Sequence, residues 1–140
     1  MLKNFFKKKK ESPKDKNILV IALLVHAAKI DENYTEIEKE IIKRVIMQLN
    51  GINLDESEKL LKIAEKKEEE SNQIVEFTKE IKKHPMEFRL KIIEIIWKIV
   101  YSDSTNDNFE SNLIRRICGL LYISDKDNGI IKAKVQSLLK

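Results

Sequence analysis

Two short polar stretches hold most of the side chains able to do chemistry. The first runs Asp31, Glu32, Asn33 and Thr35, with Glu38 following. The second runs Asp103, Ser104, Thr105, Asn106 and Asp107, with Glu110 following. Carboxylate, amide and hydroxyl oxygens crowded into a short loop are what a hard divalent cation takes as ligands, Ca²⁺ above all. Neither loop has a neighbouring Cys or His to favour zinc. Nor is either an EF-hand, since the twelve-position ligand pattern and its central glycine are missing. The same residues have a second use. Thr35-x-x-Glu38 and Asp107-x-x-Glu110 both spell a capping box, in which the Glu satisfies backbone amides at a helix start. Asp31 and Asp103 can bond the amides of their own loops in the same way. Spacing alone leaves both uses open.

The remaining reactive residue types point to structure. His26 lies inside an apolar run and reads as a satisfied core histidine, while His84 precedes Pro85 and reads as a cap or surface residue. Cys118 shares a stripe with Leu113, Ile117 and Leu121, which predicts a buried, inert thiol. Trp97 falls among isoleucines and is expected in the core. Arg44 and Arg116 either pair with the loop acids or solvate a face. With no Gly-rich phosphate loop, Ser/His/Asp grouping or HExxH motif, the chain is expected not to be an enzyme.

Helices must position the two loops. Three glycines and two prolines in 140 residues argue against a turn-rich β-fold. Residues 17–30 are apolar on almost every side and predict a helix in the middle of a bundle. Ile37, Ile41, Ile42, Val45, Ile46 and Leu49 give residues 35–49 the stripe of an amphipathic helix, with Asn50-Gly51 as its stop. Asp55, with Glu58 as its capping partner, opens the next, whose inner face is Leu60, Leu61, Ile63 and Ala64. The KKEEES stretch at 66–71 reads as a solvated last turn and connection. Residues 72–83, 86–101, 107–121 and 124–139 complete seven helices, the last opened by Ser124 with Asp127. No credible strand remains, so the fold class is all-α.

The sequence around the second loop repeats that around the first. AAKIDENYTEIEKEIIKRV (27–45) superposes on IVYSDSTNDNFESNLIRRI (99–117) at a constant offset of 72 residues. Asp31 then meets Asp103, Glu38 meets Glu110, and Arg44 meets Arg116. Upstream, Val20, Ile21, Leu23 and Leu24 meet Ile92, Ile93, Ile95 and Ile96. The matching pattern predicts a compact bundle built from two related helical hairpins.

Charge divides the chain in two. Seven of its 27 basic residues and only two of its 23 acidic ones lie in residues 1–16, so residues 17–140 are close to neutral. A basic face on the folded body, which nucleic-acid binding requires, is therefore not expected. Residues 1–16 read as a basic flexible arm, and residues 17–140 as the helical domain. Phe5 and Phe6 beside Lys7–Lys10 make the arm a candidate for peripheral contact with an anionic membrane. The apolar run 18–28 is too short to span a bilayer, and no small-residue cleavage site follows it. A single cysteine, Cys118, excludes an intramolecular disulfide and fits a reducing compartment, the cytoplasm.

Together these stretches resemble the tellurite-resistance TerB-like family, particularly its small stand-alone bacterial members. That family uses twice the pattern Ala-x-x-Asp-Gly-x-(aliphatic)-x-x-x-Glu, and the matching stretches are AAKIDENYTEIEKEII and IVYSDSTNDNFESNLIRRI. KLLKIAEKKEEESNQIVEFTKEIKK is similar to the family's acidic connector, and FRLKIIEIIWKIVYSD to the helix entering its second loop. The resemblance covers residues 17–132 and implies acidic residues from both loops gathered on one face to bind a divalent cation, with Ca²⁺ first. Asp31, Glu38, Asp103 and Glu110 are the positions it carries over. Glu32 and Ser104 depart from it, standing where the pattern has glycine; a positive φ there would cost a non-glycine residue energy. The function implied is a cytoplasmic, non-enzymatic module for protein interaction in stress response. The alternative is a metal-free helical adaptor held by its arm at the inner membrane face.

Overall fold

In the computed structural model, residues 13–30, 32–102 and 108–138 are described, with side chains from Asn17 onward and, after the second gap, from Ser111. The expectations for the arm before Pro13, for Asp31 and for residues 103–107 lie outside these. The described residues form seven helices and no strand: α1 Pro13–Lys29, α2 Glu36–Asn50, α3 Leu54–Glu70, α4 Val75–Ile81, α5 Met86–Tyr101, α6 Asn108–Leu120 and α7 Asp125–Leu138.

α1 is the central element. Val20 through Val25 are all fully buried, so no face of this stretch meets water. α1 packs against α2, α3, α4, α5 and α6, while α7 lies on α5 and α6. Each Leu, Ile or Val so enclosed contributes about 1.5–3 kcal/mol of burial, which is why an all-round apolar sequence must sit in the middle. α5 is the second buried helix, with Ile92, Ile93, Ile96 and Ile99 at 1 % exposure or less. A buried helix is followed by an amphipathic one twice, as α1–α2 and α5–α6.

Several local details differ from expectation. α1 starts at Pro13, four residues early, consistent with the preset φ of proline in a first turn. α3 is capped by Asn53, not by Asp55 and Glu58: the Asn53 side chain accepts from the Glu56 amide at 2.9 Å. Asn is as good a cap as Asp, and Ser57 joins Leu60, Leu61 and Ala64 on the buried face. Ile63, expected on the inner face, is 53 % exposed. α3 also runs on through Glu70, so KKEEES belongs mostly to the helix. α4 is shorter than predicted, whereas α5 spans the expected 86–101 with Pro85 as its N-cap.

Helix ends are closed by specific contacts. Gly51 takes the left-handed conformation (φ 61°) and ends α2, its amide donating to the Met47 carbonyl at 2.8 Å. Tyr122 does the same after α6 at φ 60°; the Ile123 amide donates to Cys118 O and the Tyr122 amide to Gly119 O. Beside it, Arg89 donates to three backbone carbonyls: His84 O (3.0 Å), Lys82 O (3.0 Å) and Leu121 O (3.1 Å). One guanidinium therefore satisfies the C-terminal ends of both α4 and α6. The last helix is pinned by Trp97, whose indole N–H donates to Asn128 Oδ1 at 2.9 Å, and is opened by the Ser124 hydroxyl accepting from the Asp127 amide. Trp97 itself is buried in the core, as expected.

Candidate functional site

Of the four acids expected to bind a cation, Glu38 is the one whose side chain is described. It is the third residue of α2 and is buried to 1 % exposure. Its Oε1 accepts from the Thr35 amide at 2.7 Å, and Thr35 Oγ1 accepts from the Glu38 amide at 3.1 Å. The capping box read from Thr35-x-x-Glu38 is therefore present in full. Asp31 and Asp103 lie outside the described residues; Glu110 stands in the first turn of α6, its side chain undescribed. Among the described residues no three His, Cys, Asp or Glu side chains gather as a metal site would need.

The loop before α2 is nonetheless a built structure. Glu32 adopts φ 64°, so the position where the family pattern has glycine does require the left-handed region here. Tyr34 donates its hydroxyl to Glu65 Oε2 at 2.7 Å, and Lys39 lies over its ring at 4.8 Å. Burial, the bond to Glu65 and the nearby Glu38 and Glu36 carboxylates together push the Tyr34 hydroxyl well above the ordinary tyrosine range. One turn further along α3, Glu68 accepts from Lys29 Nζ at 2.8 Å and lies 3.0 Å from His26 Nδ1. Burial alone would raise the Glu68 pKa. The bonds from Lys29 and His26 outweigh it and hold the carboxyl below its usual range. His26 is thus satisfied as expected, by an acid expected to be solvated. Cys118 is 2 % exposed, and burial pushes its thiol up to about 12.

A concave surface lies elsewhere, on the face shared by α2, α5 and α7. It is an open groove of about 560 Å³. One wall is α2, through Ile37, Ile41, Arg44 and Gln48; the other is α5, through Lys91, Ile95, Lys98 and Ser102. Val45, Val135 and Leu138 complete the apolar lining. α2 and α5 touch only sparingly, which leaves the trench between them. Ile37 and Leu138 are about 60 % exposed, an unusual placement for large aliphatic side chains that share one concave surface. The edge is cationic. Glu94, 12 % exposed on α5, serves Lys91, Lys98 and Lys134 at 3.8, 3.3 and 3.2 Å, and Arg44 has no ionic partner among the described residues. Burial would raise the Glu94 pKa, but bonds from Lys134 and Lys98 keep it below the usual carboxylate range.

The groove carries a signal in the sequence. At 100° per residue the Ile, Val and Leu positions of α2 span about half its circumference. That is one stripe for the core (Ile42, Ile46, Leu49) and a second beside it (Ile37, Ile41, Val45). A helix with a single buried face needs only the first.

A family model described as tellurite resistance protein TerB matches residues 17–133. No curated protein and no solved structure matches the chain.

Proposed function

The chain belongs to the TerB family, and from that premise we propose that it is a non-enzymatic protein-interaction module that docks a partner in the groove between α2 and α5. The open apolar groove carries this reading: a stable helical body that keeps Ile37, Ile41 and Leu138 on one concave surface has a face suited to binding. The stress-response part of this reading draws its support from the tellurite-resistance family. The acidic loops join each buried helix to an amphipathic one, so a divalent cation at Asp31, Asp103 and their neighbours would regulate such a module by fixing the two hairpins. The membrane-adaptor alternative rests on the composition of the arm. Among the described residues no helix is long and apolar enough to cross a membrane.

Site-specific photo-crosslinking in the native host tests the reading. A photoreactive phenylalanine analogue replaces Ile37 in one variant and Lys62, on α3, in another. A crosslinked peptide pair joining the Ile37 position to one defined protein, and absent from the Lys62 variant, supports docking in the groove. Identical products from both positions, or none from Ile37, refute it.

A further inference from the structure

The groove's dimensions and charge define its occupant more narrowly, on the premise that the groove is the docking site proposed for this module. Its two walls present the same spacing. Ile37, Ile41, Arg44 and Gln48 on α2, and Lys91, Ile95, Lys98 and Ser102 on α5, are each a run at i, i+4, i+7 and i+11. Each run follows one helical face for about 16 Å, three turns at 1.5 Å per residue. Each wall is thus as long as three turns of a guest helix, and Val45, Ile95 and Val135 give the groove buried apolar surface.

The cations are spread along the trench. Lys91 and Lys98 sit two turns apart, about 10 Å, on one wall, with Arg44 on the other. Among the described residues no acid lines the groove, and Glu94, on the α5 wall, is shared by three lysines. A single-headed amphiphile would need its cation at one end only. The chain's own N-terminal arm, rich in lysine, carries the same sign as the edge. A helix with acids spaced along both flanks complements it.

We propose that the groove binds an amphipathic helix of a partner protein, with aliphatic residues at i, i+4, i+7 and i+11 and Asp or Glu flanking them two turns apart. The aliphatic side chains pack on Ile37, Ile41 and Leu138, while the acids meet Lys91, Lys98 and Arg44. Charge sets the orientation and the rate of encounter, and burial supplies most of the affinity.

The probe is a fluorescein-labelled, lactam-bridged peptide of three to four turns with Leu at those four positions and Glu on both flanks. Binding to the full-length protein is followed by fluorescence anisotropy. Saturable micromolar binding is expected, weakened about tenfold or more by Ile37→Glu and by Arg44→Glu, and falling as salt rises. Both residues are exposed; thermal melts verify that the variants fold, and Arg44→Glu suffices if Ile37→Glu does not. A Lys-flanked twin of the peptide is expected to bind at least about tenfold more weakly. Equal binding of the two peptides overturns the proposal. So does tighter binding of a peptide of residues 1–12, or displacement of the Glu peptide by equimolar laurate. Absence of binding up to about 1 mM overturns it as well. A failed peptide with a positive Ile37 crosslink refutes the acidic helix alone; failure of both refutes the groove.

Discussion

Replacing Arg89 by Met retains most of the aliphatic stem and removes three hydrogen bonds at once. Those bonds run to Lys82 O, His84 O and Leu121 O at 3.0, 3.0 and 3.1 Å. Two of these carbonyls close helices, α4 at Lys82 and α6 at Leu121, where the negative end of the helix dipole adds to the attraction. Hydrogen bonds from a charged donor contribute about 1.5–3 kcal/mol each when buried. Arg89 is half-buried, so water can reach part of what is uncovered, and about 1 kcal/mol per bond is the appropriate figure. The expected loss is therefore about 3 kcal/mol, or about 10 °C in melting temperature for a chain of this size. Arg89→Lys retains the charge but not the fork, and should lose about two-thirds of that. Urea unfolding followed by far-UV circular dichroism reads both variants, with an unchanged denaturant slope if the effect is confined to the native state. A loss below about 0.5 kcal/mol for Arg89→Met would refute the view that this side chain joins the two helix ends.

Four further outcomes are expected. Glu32→Gly relieves a left-handed non-glycine residue, and after the added unfolded-state entropy of glycine the net gain is about 0.5–1 kcal/mol, read by thermal melting; a loss would mean that the Glu32 side chain holds the loop. Glu68 has a folded pKa below its ordinary value of 4.5, so the stability it adds is present above that pH and drains away as pH falls through the folded value. Glu68→Gln should therefore flatten the acid side of a stability–pH curve, and an unchanged slope would dismiss the Lys29–Glu68–His26 cluster as a source of it. Cys118 should resist iodoacetamide at pH 8 in the native state and react once urea unfolds the chain; rapid native labelling would show that α6 opens. Calorimetric titration of Ca²⁺ should give saturable heat that Asp103→Ala abolishes if the acidic loops bind a cation, whereas silence at about millimolar calcium returns Glu38 and its counterparts to capping alone.

The elements most readable from the sequence are those dictated by local periodicity. α1 and α5 belong at the centre because no polar face exists to turn outward. The Thr35–Glu38 box and the stop at Gly51 are legible because both partners lie within a few residues of each other. Contacts between distant positions are hidden. Glu68 reads as one more charge in a solvated run, since its partners lie 39 and 42 residues away on α1. The role of Arg89 is equally hidden, because backbone carbonyls leave no mark in a sequence. Ile37 continues an apolar stripe and so reads as core, yet it sits on the second stripe of α2, where the neighbouring helix stands back. The candidate cation site is half legible: the spacing gives Glu38 its cap, and the glycine-like demand at Glu32 shows in the departure at that position.

The central position of α1 has a consequence for how the protein is made. Val20–Val25 leave the ribosome well before α5, which also packs on α1 and begins only at Met86. At about 5–20 residues per second, that interval is several seconds during which a wholly apolar segment has an incomplete coat. The chain therefore cannot mature half by half, despite its repeated hairpins. Any nascent fragment ending before α5 is a client for holding chaperones or a seed for aggregation, and folding becomes a single event gated by the arrival of the second hairpin.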